Sequence, residues 1–188
     1  LIGFAEQGMQ QHQKIFLERE LLLSGLVAAS GYTWITIFGN VGKVGFGWVY
    51  DKFSVHGVSF CWFAIGLGIL AVLPVSGFFG FMLFAILRGT SHGGNLVDIP
   101  VLVRHCYGTK ALAKSFSFLY AAYMVGAASG SRVVGMIADA DGTYFRAFIL
   151  LGAMCFVAAA VIWPIKPVFW NRAKAARKDA EMEAKNAE

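Results

Sequence analysis

Gly42-Lys43-Val44-Gly45-Phe46-Gly47-Trp48-Val49-Tyr50-Asp51 and Gly130-Ser131-Arg132-Val133-Val134-Gly135-Met136-Ile137-Ala138-Asp139 share one spacing: glycine, four residues, glycine, three residues, aspartate. The copies lie 88 residues apart, room for three long helices and their connections. Each copy ends the middle helix of a triplet. Three is an odd number, so the second copy runs the opposite way, with Asp51 at one end of the bundle and Asp139 at the other. Self-similarity of this kind predicts a three-helix unit used twice, the second time upside down.

The residues around the two copies supply the helices. The 188-residue chain is 57% apolar and 15% aromatic, and only 14% of it is charged. Its mean hydropathy is +0.62. A soluble domain carries roughly 25% charge, so the balance excludes a disordered tail, a collagen-like repeat and a cysteine-stapled secreted domain. It predicts an all-α, polytopic membrane helix bundle. A spanning helix needs about 20 mostly apolar residues. Five such runs are visible, over 22–49, 58–75, 77–103, 116–138 and 144–165, and residues 1–17 read as the tail of a sixth helix. Connections fall at 16–20, 51–57, 74–77, 104–114 and 139–143. The predicted organisation is a bundle over 1–170, with repeats over 1–75 and 77–166, and a charged tail over 171–188. The opening at Leu1, with no basic stretch before it, reads as the interior of a longer polypeptide without a signal peptide.

Charge placement predicts orientation. Arg19 and Arg146 lie on one side of the bundle. Lys52, Arg104, Lys110, Lys114, Lys166, Arg172, Lys174, Arg177, Lys178 and Lys185 lie on the other. Lysine and arginine gather on the cytoplasmic side of membrane proteins, so the C-terminus is expected in the cytoplasm of a multi-pass protein of the cell membrane. The net charge of +5 does not predict nucleic-acid binding, because the apolar runs leave no basic face with interleaved aromatics. Cys61, Cys106 and Cys155 are odd in number and far apart, with no metal or redox spacing. No nucleophile–base pair or metal cluster emerges, so no enzyme, cofactor or metal is expected.

Ionisable groups inside spans are costly and usually line a pathway or pair with one another. Arg88 lies eleven residues past Gly77, about 16 Å into the bilayer at 1.5 Å per residue. Ser91, His92, Asn95 and Asp98 follow at three- and four-residue steps, which stack them on one helix face. That polar ridge is expected to face protein or water. Arg88 either meets a substrate or pairs internally with Glu6 or Asp98. Lys43 lies about 9–12 Å deep and either faces the interior or snorkels. Arg132 reads as snorkelling or pairing with Asp139 or Asp141. Asp98 and Glu6 are the acidic candidates for binding a proton within the spans. His12, His56 and His105 read as solvated boundary residues. Gly126 with Gly130, and Gly39, Gly42 and Gly45, allow close helix approach.

These residues resemble a known family. Gly47-Trp48-Val49-Tyr50-Asp51-Lys52-Phe53 resembles the loop signature of the major facilitator superfamily, Gly-x-x-x-Asp-Arg/Lys-x-Gly-Arg-Arg. Gly135-Met-Ile-Ala-Asp139-Ala-Asp-Gly142-Thr-Tyr144-Phe-Arg-Ala-Phe148 and Tyr107-Gly108-Thr109-Lys110 resemble its monocarboxylate and oxalate/formate branch. The resemblance covers nearly the whole chain as the C-terminal half, helices 7–12, of a twelve-helix transporter. After Phe53 the loop departs from the signature, as Ser54-Val55-His56-Gly57, which implies a thinner basic clamp around Gly47, Asp51 and Lys52. The resemblance implies that the first and fourth helices line a central cavity, bringing Glu6 and Gln10 towards Arg88, His92 and Asn95. It also implies that Lys43 matches a helix-8 cation that contacts a substrate carboxylate. The deeper helix-11 cation of the oxalate type is missing near Met124, which argues against a dicarboxylate. The expected function is a secondary active transporter of a small organic anion, a monocarboxylate, by alternating access through proton symport or anion exchange. Its expected partners are the lipid bilayer and a missing N-terminal six-helix half. The alternative is a non-transporting sensor or scaffold that reuses the fold.

Overall fold

A computed structural model describes residues 1–176, and it turns the apolar runs into helices. In chain order these are α1 (Ile2–Arg19), α2 (Gly25–Phe53), α3 (Val55–Leu70), α4 (Gly77–Tyr107), α5 (Leu112–Asp141) and α6 (Phe145–Ile162). Residues 168–176 are helical as well, and no strand occurs among the described residues. The expected tail beyond 176 lies outside the described residues.

The helix boundaries show what the composition hid. The connection expected over 51–57 shrinks to Ser54, which turns the chain at φ 54°. Its N–H closes α2 on the Tyr50 carbonyl, and its own carbonyl accepts from Val58 at the start of α3. α4 continues past residue 103 to Tyr107, through Pro100. α5 ends in a glycine cap: Gly142 adopts the left-handed conformation and its N–H bonds to the Ala138 carbonyl.

α2, α4 and α5 contain 29, 31 and 30 residues. At 1.5 Å per residue each is longer than the roughly 30 Å of bilayer hydrocarbon. Among the described residues, α6 alone is both long and apolar enough over 18 residues to cross a membrane by composition, and α3 is apolar but shorter. Glycines dilute the apolar content of α2 and α5, and the polar ridge dilutes that of α4. The outer faces nevertheless carry large apolar side chains, among them Phe79 (91% exposed), Leu26 (84%), Val44 (78%) and Phe118 (76%). So many exposed apolar side chains call for lipid or another protein surface, not water.

α2 packs along α4, α1 along α5, and α3 along α6; α3 also meets α4, and α1 meets α6. Met9, Phe16, Leu17, Ile65, Ile69, Phe81, Phe84, Phe148 and Leu151 fill the centre. Glycines set the closest crossings. A Cβ at Gly42 would stand 2.2 Å from the Thr90 carbonyl oxygen, and one at Gly130 would stand 2.1 Å from that of Phe4. A Cβ at Gly3 would strike the Tyr123 carbonyl, one at Gly89 the Ile35 carbonyl, one at Gly66 the Phe156 ring, and one at Gly152 the Leu70 side chain.

Candidate functional site

The polar ridge of α4 turns inward. Arg88, Ser91, Asn95 and Asp98 are buried, with Arg88 fully so. An uncompensated guanidinium there would carry a large desolvation cost. Glu6, also fully buried, supplies the compensation from α1. Arg88 Nη1 donates to both Glu6 carboxylate oxygens, at 2.8 and 3.0 Å, and Nη2 reaches the Glu6 carbonyl at 3.5 Å. One turn further along α4, His92 Nδ1 meets the same Glu6 Oε1. Two charged or chargeable groups from α4 therefore converge on one carboxylate from α1. His92 is the member that keeps partial exposure, at 17% of its side chain.

The neighbouring ridge residues extend this polar interior in two directions. Asn95 Nδ2 donates to the Tyr123 hydroxyl of α5 at 3.2 Å. Arg88 Nε, Asn95 Oδ1 and Gln10 Oε1 are buried without a hydrogen-bond partner among the described residues. Buried polar groups are normally satisfied, so each of these three atoms keeps an open hydrogen-bonding position. Asp98 turns the other way, towards α3, where Trp62 Nε1 donates to Asp98 Oδ2 at 2.6 Å. Tyr50, donating to the Gly94 carbonyl at 2.9 Å, and Cys61, donating to the Ser91 carbonyl at 3.6 Å, close that side. Among the described residues, two separate acids are thus buried, Glu6 and Asp98. Only Glu6 shares a carboxylate with cationic side chains.

Other candidates stand apart. Lys43 is exposed on α2 and donates to Asn40 Oδ1 at 3.2 Å, away from Glu6 and Arg88. Arg132 is exposed, and Asp141 pairs with Arg146 at 3.4 Å. Asp51 and Asp139 are both exposed. Lys52 lies over the Trp48 ring at 5.0 Å and over Phe53 at 5.5 Å. A Cβ added at Gly47 would meet nothing within 4 Å, whereas one at Gly135 would stand 3.5 Å from the His12 ring.

Two histidines depart from the sequence expectation of solvation. His105 is buried, and its Nδ1 bonds with Ser54 Oγ at 2.9 Å, because α4 stays helical past residue 103 and reaches the α2–α3 turn. Burial holds its pKa below the ordinary histidine value; Arg104 pushes the same way and Asp51 opposes. His12 Nε2 bonds to the Ser131 carbonyl at 2.9 Å. His56 remains exposed, edge-on to Trp163. At the opposite end of the bundle from His105, Glu20 holds the α5–α6 turn, accepting from the Thr143 hydroxyl and the Tyr144 N–H, each at 2.6 Å. No local spacing signals Trp62, Tyr123 or Glu20, since each partner lies on a distant helix.

Comparison with known proteins meets this geometry from a separate direction. The chain is 26% identical over 117 residues to a protein named Monocarboxylate transporter 12 from Xenopus laevis, covering 60% of this chain and 25% of the relative. Its counterpart from Rattus norvegicus is 30% identical over 122 residues, covering 62% of this chain and 25% of the relative. The chain spans about a quarter of the length of the curated relatives it matches. No solved structure matches. The sequence pattern described as Major Facilitator Superfamily matches residues 13–187, which takes in five of the six helices whole and the end of the first. With a bundle of this kind beneath that match, the chain belongs to the Major Facilitator Superfamily.

Proposed function

We propose that this bundle is one six-helix half of a larger transporter and is built from two inverted three-helix repeats, over about 1–75 and 77–166. Close approaches support the repeats. Adding 86 to Gly3 and subtracting 88 from Tyr123 turns the Gly3–Tyr123 contact into the Gly89–Ile35 contact. The same shifts turn Gly130–Phe4 into Gly42–Thr90, and 86 alone relates Gly66–Phe156 to Gly152–Leu70. The exchange of α1·α5 for α2·α4 is what a pseudo-dyad between the repeats requires. The exposed faces of α2 and α5, carrying Val44 and Phe118, are where an N-terminal half would rest, with Gly47, Asp51 and Lys52 as the gating end of α2.

The transported species on this reading is a small organic anion, in the first place a monocarboxylate, moved by alternating access. One observation carries it: Glu6 holds Arg88 and His92 together in the interior. A protein carboxylate occupying a guanidinium–imidazole site is a stand-in for a substrate carboxylate. When Glu6 takes a proton, its charge-assisted hold on Arg88 and His92 weakens, and both cations are released to a carboxylate entering past the more exposed His92. Proton and anion then bind together, as symport requires. Exchange of one anion for another uses the same cations without the proton. Asn95, Gln10 and Arg88 Nε supply the remaining polar contacts, Asp98 is a second proton candidate, and Lys43 would reach the anion only across the space between the halves. The chain's C-terminus and Asp51 lie on the cytoplasmic side of the cell membrane in this proposal.

The test is counterflow of labelled lactate in proteoliposomes of the full-length protein. Arg88→Ala strips Glu6 of its partner, and breaking a buried pair costs about 3–5 kcal/mol, so Arg88→Lys serves beside it. Lysine keeps the charge on Glu6 but lacks the fork. The expected result is counterflow in the parent, abolished in Arg88→Ala and strongly reduced in Arg88→Lys at equal membrane expression. Undiminished counterflow in both variants removes Arg88 from the site. The full burial of Arg88 favours one other reading, a sealed structural pair in a sensor or scaffold; a parent protein with no counterflow of any carboxylate supports that reading.

A further inference from the structure

At the end of the bundle where α2 and α4 leave the expected spans, residues 168–176 fold back and close a cavity of about 850 Å³ against them. Phe169 anchors this closure at Gly108, where an added Cβ would stand 3.0 Å from the ring. Gly108 has φ 79°, so glycine is suited to the turn for its conformation as well as for the room it leaves. The wall carries Lys52 from α2, Arg104 from α4 and Lys174 from the returning helix, together with Asp51, Thr109 and Trp170.

The charges in this cavity are unbalanced. Three cations face one carboxylate, and among the described residues none of the three lies within ion-pair distance of an acid. Aromatic faces hold two of them instead: Lys52 lies over Trp48 at 5.0 Å, and Lys174 lies over Trp170 at 4.9 Å. Arg104 is exposed. His105, buried behind it, is committed to Ser54. A singly charged carboxylate does not need three cations. A phosphate monoester, with up to two charges and several acceptor oxygens, matches two lysines and a guanidinium fork. Trp170 lines the cavity and Trp163, earlier on the same chain end, is exposed, the amphipathic aromatic placement of a membrane–water boundary, and basic pockets at that level bind phosphorylated headgroups.

We propose that the cavity between the ends of α2 and α4 and residues 168–176 is a binding site for a phosphate monoester, held by Lys52, Arg104 and Lys174. The site rests on the membrane reading of the bundle but not on transport, and it lies apart from Glu6 and Arg88.

The test uses the full-length protein in nanodiscs and two probes that share the phosphate monoester. One is phosphatidic acid in a phosphatidylcholine bilayer, with retention read by native mass spectrometry. The other is labelled glycerol 3-phosphate, read by equilibrium dialysis. Arg104→Gln and Lys174→Gln should each weaken binding about fivefold, the effect of one cation near a membrane surface. Lys114→Gln, which removes an exposed charge outside the cavity, should leave binding unchanged. Loss confined to the phosphatidic acid arm assigns the site to a lipid headgroup, and loss confined to the glycerol 3-phosphate arm assigns it to a soluble ester. Binding of neither probe overturns the proposal, as does equal weakening by all three substitutions. Counterflow of lactate, measured in the same preparations, reports on the transport reading separately.

Discussion

Glu6 decides whether Arg88 is a site or a strut. Both oxygens of its carboxylate accept from Arg88, and one also meets His92, so the charge on Glu6 sets whether either cation is available to another anion. Glu6→Gln removes that charge and retains most of the shape. In the full-length protein, proton-driven accumulation of lactate is then expected to fall by at least about tenfold, equivalent to 1.4 kcal/mol, while lactate exchange without a gradient persists on the freed Arg88 and His92. Glu6→Asp, which keeps the charge, shows whether loss of accumulation reflects coupling or misfolding. Accumulation that still follows the proton gradient in Glu6→Gln moves the coupling elsewhere, with Asp98 the next residue to substitute. The pairing of Glu6 with Arg88 was one of two alternatives legible in the sequence, because a guanidinium deep in an apolar run needs an acid and few acids lie within the helices. The direction of Asp98 was not legible. Its ridge position matches that of Asn95 by spacing alone, and only the packing of α3 beside α4 brings Trp62 to it.

Helix contacts test whether the glycine spacing builds the crossings. Gly39 and Gly42 lie three residues apart on the face of α2 that meets α4, yet they differ in room. A Cβ at Gly39 would find the Gly89 carbonyl oxygen at 3.5 Å, an ordinary contact, while one at Gly42 would meet the Thr90 carbonyl at 2.2 Å. Backbone cannot step aside as a side chain can, so Gly42→Ala forces α2 from α4 at a cost of about 1–3 kcal/mol. Gly39→Ala should be neutral or slightly stabilising, since alanine favours helix over glycine by roughly 1 kcal/mol. Thermal unfolding in detergent is expected to show Gly42→Ala and Gly130→Ala melting several degrees low and Gly39→Ala unchanged. Equal melting of all three means that these crossings do not limit stability. Small residues at a crossing were legible from composition. Which glycine touches backbone was not, because that depends on helix rotation, which periodicity leaves open within a residue or so. The boundary near Ser54 was hidden for a related reason: a serine with positive φ leaves no glycine or proline in the sequence to mark the turn.

At the scale of the whole molecule, the inverted repeat and the lysine–arginine asymmetry are two independent arguments about sidedness, and they make one joint prediction. An odd-numbered unit that reverses must place the Ser54 turn and the Gly142 turn on opposite faces. The Ser54–His105 bond ties the first of these faces, and the Glu20 bonds to Thr143 and Tyr144 tie the second. Cationic residues crowd the first face, so it is the one expected in the cytoplasm. Cysteine labelling in intact cells can decide this: within this chain Cys61 and Cys155 are buried and Cys106 is replaced by serine as background, together with any reactive cysteine in the rest of the full-length protein. Lys110→Cys, on the exposed turn before α5, should resist a membrane-impermeant maleimide until the cells are opened. Thr143→Cys would break a Glu20 contact, so Ala140→Cys, exposed near the end of α5, is the better outer reporter, and it should react in intact cells. Reaction of both positions from the same side would overturn the inverted arrangement whichever face is cytoplasmic. Reaction from opposite sides in the reverse sense would preserve the repeat and invert the orientation. The phosphate site beside Arg104 would then face outward, because the cavity and the Ser54 turn are parts of one end of the bundle.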